Sequence, residues 1–191
     1  MRIHALALAL AATALATAAQ AEPASYAIDP THTFATFEIG HFGASVNRGR
    51  FEKKEGFVLY DKVARTGKVD ITFHIDSINT GTPPFDEHLR SAEIFDAAQF
   101  PTARFVGEQF KFKGDKLVSV SGSMTIKGKT RPATFKAHQF TCYDSPMLKA
   151  EVCGGDFETT IDRTAFGVDY GLDFGFPKKV RIVAQIEAVK Q

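Results

Sequence analysis

The segment Val180-Arg181-Ile182-Val183-Ala184-Gln185-Ile186-Glu187-Ala188 places Val180, Ile182, Ala184, Ile186 and Ala188 on one side and Arg181, Gln185 and Glu187 on the other. A period of two belongs to an extended strand with one dry and one wet face. The same period runs through Val69, Ile71, Phe73 and Ile75, set between Asp70, Thr72, His74 and Asp76. It returns in Val118, Val120, Met124 and Ile126, set between serines and Thr125. Gly114-Asp115 and Gly128-Lys129 are turn signals between such runs. The pattern predicts about eight strands, over roughly 25–43, 49–61, 67–77, 102–113, 116–127, 130–141, 150–163 and 178–190. One-sided strands joined by short turns make an antiparallel sheet. Closing it into a barrel removes its edges. An eight-stranded barrel is either filled by its own side chains or holds one small ligand. Eighteen Phe and no Trp suit both outcomes.

One stretch breaks the alternation. Between Ser77 and Phe105 the chain reads SINTGTPPFDEHLRSAEIFDAAQFPTARF. Thr82 followed by Pro83 suits a helix cap and first helical position. Phe85, Leu89 and Ala92 then share a helical face, Ser91–Asp96 starts a second short turn, and Phe100-Pro101 ends the insert. From the residues alone this is either a plug over one end of a barrel or the rim of a cavity.

The chain begins MRIHALALALAATALATAAQAEP, with a basic residue, an apolar run and the small-x-small site Ala19-Gln20-Ala21. That is the pattern of a secretory signal peptide over 1–21, leaving a single domain over 22–191 exported to the periplasm. No later segment approaches the ~20 apolar residues of a membrane-spanning helix. Of 23 Lys and Arg only Arg2 precedes Glu22, so 22 basic residues face 22 acidic ones in the exported part. A neutral, mixed surface offers no footprint for nucleic acid. Cys142 and Cys153 form an even, close pair around a turn, which in an exported chain reads as a disulfide. Free thiols in a redox or metal role are the alternative.

Catalytic motifs are missing: there is no G-x-S-x-G, H-E-x-x-H, P-loop or G-x-G-x-x-G. No histidine spacing suggests a metal pair, so no catalytic residue, metal or cofactor is expected. Asp86-Glu87 and Asp169 with Asp173 read as solvated loop carboxylates. Asn79, His88, Arg90 and Arg163 remain as polar contacts for the mouth of a cavity, with a structural ion pair the simpler role for Arg163.

Several motifs, taken in order, carry a resemblance. They are Asp29-Pro30-Thr31-His32, Gly40-His41-Phe42-Gly43, Gly49-Arg50-Phe51 and Ser77-Ile78-Asn79-Thr80. His88–Asp96 leading into Phe100–Phe105, Gly122–Thr130 and Ile161–Val168 complete the set. Together they resemble the YceI family of periplasmic polyisoprenoid-binding proteins over the whole exported chain. The resemblance implies an all-β fold, an eight-stranded antiparallel lipocalin-like barrel with the helical insert at one end. It implies an apolar tunnel for a long-chain isoprenoid such as a polyprenyl phosphate or ubiquinone, and no catalysis. It also raises the rim reading of the insert above the plug. Tyr170–Pro177 departs from the family's usual short acidic approach to the last strand, and the Cys142/Cys153 loop occurs in only part of the family.

The expected tunnel wall is Phe37, Ile39, Phe57, Leu59, Val69, Ile71, Phe73, Leu89, Phe95, Val120, Met124, Ile126, Phe135, Phe157, Ile161, Ile182 and Ile186. The expected partner is a long-chain lipid, with transient membrane contact and a homodimer left open. A filled barrel serving stress or interaction, and an enzyme modifying an isoprenoid or quinone, are the competing readings.

Overall fold

The computed structural model describes residues 22–191, so the expected signal peptide lies outside the described residues. The strands are β1 (Ala24–Ile28), β2 (Phe34–His41), β3 (Ser45–Phe51), β4 (Lys54–Asp61), β5 (Thr66–His74) and β6 (Ile78–Asn79). After helix α1 (Pro83–Arg90) come β7 (Thr102–Lys113), β8 (Lys116–Ile126), β9 (Lys129–Ser145), β10 (Ala150–Asp162) and β11 (Lys179–Lys190). They form one antiparallel sheet in the order β1-β4-β5-β7-β8-β9-β10-β11, closed into an eight-stranded barrel by β1 against β11.

The remaining strands continue members of that ring. Both β1 and β2 pair with β11, on successive stretches: Tyr26 lies opposite Lys190, and Phe37 opposite Ile182. The expected first strand is therefore one strand with a break at 29–33. Pro30 cannot donate to a ladder. Asp29 folds back to accept from the Thr31 amide at 2.8 Å. Thr33, fully buried, donates its hydroxyl to the Glu187 carbonyl and accepts from the Glu187 amide at 3.0 Å. The second expected strand breaks in the same way into β3 and β4, and the third ends at His74, its last expected residues forming a 3-10 turn at Ile75–Ser77 ahead of β6. The result is two tiers. The base tier is the closed ring, and the upper tier runs β11-β2-β3 and ends at the two-residue β6.

The insert follows β6 and completes the wall there. Its expected helix is present, with Pro83 in its first turn and Thr82 at the cap position. The Thr82 side chain does not cap, however. The buried Asp86 carboxylate instead accepts from the Thr80 amide at 2.7 Å and the Thr80 hydroxyl at 2.6 Å. Asp86 is thus a structural clasp rather than the solvated carboxylate expected; Glu87 is exposed. Beyond Arg90 the expected second short turn is present, with Asp96 N donating to Ser91 O at 2.8 Å.

Two buried clusters form the inner wall of the barrel. One, at the base, gathers Tyr26, Tyr60, Ile71, Leu117 and Cys153; the other gathers Leu89, Ile94, Met124, Phe135 and Phe166 beneath the insert. Bulges between β7 and β8 and between β9 and β10 bend the wall and shift its alternation. As a result Leu117 and Val120 both point inward, and Val118 loses the inner place that simple alternation assigns it. The strand β9 runs on to Ser145, past the expected end near 141, so Cys142 and Cys153 face each other within the ladder and are joined as a disulfide.

Candidate functional site: an apolar cavity inside the barrel

A cavity of about 460 Å³ occupies the barrel, within the ~300–1,000 Å³ range of ligand pockets. Its lower end is lined by Tyr26, Tyr60, Leu117, Phe140 and Cys153, and its middle by Val58, Val69, Ile71, Phe105, Phe110 and Val120. Above these stand Phe37, Ile39, Phe73, Met124, Ile126, Phe135, Phe157, Ile161, Ile182 and Ile186. The insert adds Phe85, Leu89, Ile94 and Phe95, and the segment before β11 adds Tyr170, Phe174 and Phe176. Aromatic rings meet edge-on along the wall: Tyr60 and Phe140 lie 5.4 Å apart, Phe105 and Phe135 4.9 Å. The insert is thus part of the wall, and the rim reading describes it better than the plug.

All but two of the expected wall residues line this cavity. Phe57 and Leu59 do not; they lie on the outer face of β4, and Phe57 is 37% exposed. The run Phe57-Val58-Leu59-Tyr60 is apolar throughout, so alternation alone does not choose a face. Pairing chooses it. Val58 lies opposite the inward Val69, while Phe57 and Leu59 lie opposite Asp70 and Lys68. Tyr26, Tyr60, Phe105, Phe110 and Phe140 were not among the expected wall residues. Cross-strand pairing would have identified one of them, since Phe105 lies opposite the inward Ile71.

The expected polar contacts divide evenly. His88 and Arg163 line the cavity, whereas Asn79 and Arg90 do not. Asn79 is exposed and closes a local turn by accepting from Gly81 N at 2.8 Å. His88 packs edge-on against Tyr170 at 4.8 Å and contacts Glu93 through Nε2 at 3.0 Å. Arg163, only 7% exposed, makes no ion pair, contrary to the role expected for it. It donates Nε to Pro177 O at 2.9 Å and Nη1 to Val168 O and Tyr170 O at 2.9 and 2.8 Å. One guanidinium therefore staples the loop between β10 and β11, and among the described residues its Nη2 has no hydrogen-bond partner. Burial pushes the Arg163 guanidinium below its usual pKa, opposed by Asp169 and Asp162.

A polar lock lies at the base. Tyr26 donates its hydroxyl to Glu151 at 2.6 Å, and Glu151 pairs with Lys62 and, at 3.8 Å, with Lys190. Burial first, and then the Glu151 carboxylate, raises the Tyr26 phenol far above its ordinary value. The hydrogen bonds from Lys62 and Tyr26 hold Glu151 below its own. Both groups keep one charge state at neutral pH, so this end has a fixed structural lock.

Fold and site together define a class: a closed antiparallel barrel around an apolar cavity, with a helical insert in its rim. The chain belongs to the YceI family, whose YceI-like domain matches residues 26–188. It is 33% identical over 183 residues to a UPF0312 protein of Pseudomonas aeruginosa, covering 94% of both chains. It is 32% identical over the same length to protein YceI of Salmonella arizonae, again over 94% of both. Among solved structures it is similar to BcnA of Burkholderia cenocepacia, with TM-score 0.70 and 23% identity over 84% of this chain and 99% of that one. It is also similar to a polyisoprenoid binding domain from Saccharophagus degradans, with TM-score 0.65 and 12% identity over 88% and 99%.

Proposed function

We propose that this protein is a periplasmic binding or carrier protein that holds a long-chain isoprenoid lipid in its barrel and performs no chemistry on it. The observation that carries this reading is the cavity, apolar from Tyr26 and Cys153 at the base to Phe174 at the mouth. The polyisoprenoid binding described for the Saccharophagus degradans domain supports the ligand class. Burying a hydrocarbon chain stabilises by about 0.8 kcal/mol per CH₂ relative to water. A lipid in a membrane is already dry, so the net preference for the protein is small. Small net affinity suits a carrier, which must release what it takes up.

A polyprenyl phosphate or a quinone also carries oxygen acceptors at one end. Arg163 lines the cavity, and its Nη2, buried and unpaired among the described residues, is the kind of donor such a group would take once uncovered. An enzyme would need His88, Arg90 and Arg163 to converge with a carboxylate. Instead His88 is held by Glu93 and Tyr170, and Arg163 by backbone carbonyls. The open interior weighs against a filled barrel.

The test is native mass spectrometry and solvent extraction of the protein purified from its own periplasm. A bound prenyl lipid is expected, at near-full occupancy. Met124→Arg puts a charge on the cavity wall and is expected to empty it. A folded Met124→Arg or Phe73→Asp variant carrying the same lipid at the same occupancy would overturn the assignment.

A further inference from the structure

The large apolar side chains that remain exposed are concentrated at the two ends of the barrel. At the base they are Val63, Met147 and Leu148, in turns whose side chains do not line the cavity. At the mouth they are Phe42, Val46, Tyr170 and Phe174. Here two observations set the mouth apart. Tyr170 and Phe174 are exposed and also line the cavity, so the outer surface and the inner wall are one apolar surface. Phe176 joins them: it lines the cavity and packs on Phe42 with ring centres 5.0 Å apart.

The backbone supports these rings at a cost. Phe42 sits at φ +52° in the β2–β3 turn, where Gly or Asn would be at ease, and its ring is 60% exposed. Gly171 and Gly175, at φ +81° and +92°, bracket the 3-10 turn that holds Phe174 out at 64% exposure. Strained or glycine-dependent turns that display aromatic rings to water contribute nothing to a soluble core.

We propose that Phe42, Tyr170 and Phe174 form a rim that docks on a lipid bilayer, so that cargo passes between bilayer and cavity without crossing water. Aromatic side chains suit the interfacial zone of a membrane. The residues from 22 onward carry balanced charge, so apolar insertion, not attraction to anionic lipid, drives the contact. This inference rests on the carrier reading, and its test separates the two.

The exported protein is sedimented with vesicles of phosphatidylethanolamine and phosphatidylglycerol. Phe42→Ser with Phe174→Ser is expected to lower vesicle affinity about tenfold or more. Val63→Ser with Met147→Ser, at the base, is expected to bind like the unaltered protein. Raising NaCl from about 0.1 to about 0.5 M is expected to leave binding in place. Failure of the unaltered protein to bind, equal loss in both variants, or loss with salt would each overturn the rim. Cargo uptake from detergent-dispersed prenyl lipid is read separately by native mass spectrometry, and Phe42→Ser alone, whose side chain does not line the cavity, should still fill. A protein that takes up no lipid but sediments in a rim-dependent way would refute the carrier and leave the rim standing.

Discussion

At the base of the barrel the strands pair around the full ring, whereas at the mouth the ladder gives way to a helix, two 3-10 turns and a glycine-containing loop. The base is held by redundant means. The Cys142–Cys153 disulfide crosses β9 and β10, the Tyr26–Glu151–Lys62 lock ties β1 to the β4 end, and Asp61 accepts from the Val63 and Ala64 amides at 2.8 and 2.7 Å. Its core residues Tyr26, Leu117 and Val152 are almost wholly buried. The mouth depends on single points. Arg163 alone ties three carbonyls of the β10–β11 loop, and Asp86 alone clasps the start of the insert. A closed, redundantly fixed end and an open end held by a few buried polar groups is the arrangement expected of a vessel that fills and empties from one side.

Removing the staple at the mouth should have the largest effect. Arg163→Leu orphans three carbonyl acceptors and is expected to cost about 3 kcal/mol or more, lowering the melting temperature by roughly 6–12 °C. Hydrogen exchange should speed up across 164–177 and leave β9 and β10 near Cys142 unchanged. Equal loss of protection at both ends would break the distinction between them. The converse change, Cys142→Ser with Cys153→Ser, opens a link between positions 11 apart and is expected to cost about 2–3 kcal/mol. Its exchange signature should be confined to the base.

The difference between the ends also explains what was legible in the sequence. Where a strand alternates cleanly, as in Val180 to Ala188 or Val69 to Phe73, every apolar position of the alternation lines the cavity. Legibility fails at three kinds of place. In Phe57–Tyr60 both faces are apolar, and only the register with Val69, Asp70 and Lys68 decides which turns inward. At bulges the alternation slips, so that Ala137 and Phe140 both face inward across a spacing of three. In the loop from Gly167 to Pro177, order comes from Arg163 reaching back to distant carbonyls, which no local pattern announces. The break of long strands into two tiers was hidden for a related reason. Asp29-Pro30-Thr31 is a turn signal, but Thr33 restores contact with β11 by pairing both its hydroxyl roles with the Glu187 backbone.

The smallest expected effect lies in acid. On the outer wall of the upper tier Arg181 of β11 holds Glu38 of β2 and Glu158 of β10, each at 2.7 Å. Glu38 in turn holds Arg48 of β3, and Glu158 contacts His138 of β9. Hydrogen bonds from Arg181 and then His138 lower the Glu158 pKa from 4.5 to about 2. A carboxylate depressed in the folded state adds stability that is complete above its unfolded pKa and is lost as pH falls through its folded one. The loss should therefore run from about pH 4.5 down to about pH 2, with Glu38, lowered by Arg48 and Arg181, contributing in the same direction. The groups are partly exposed to solvent that screens them, so the change in urea midpoint should be modest. Arg181→Met should flatten it, and exchange should accelerate first in β2 and β3, beside the mouth. An acid response that begins in β1 and β4 instead would mean that the Glu151 lock, not the outer network, is the weaker support, and that the base is the end that yields.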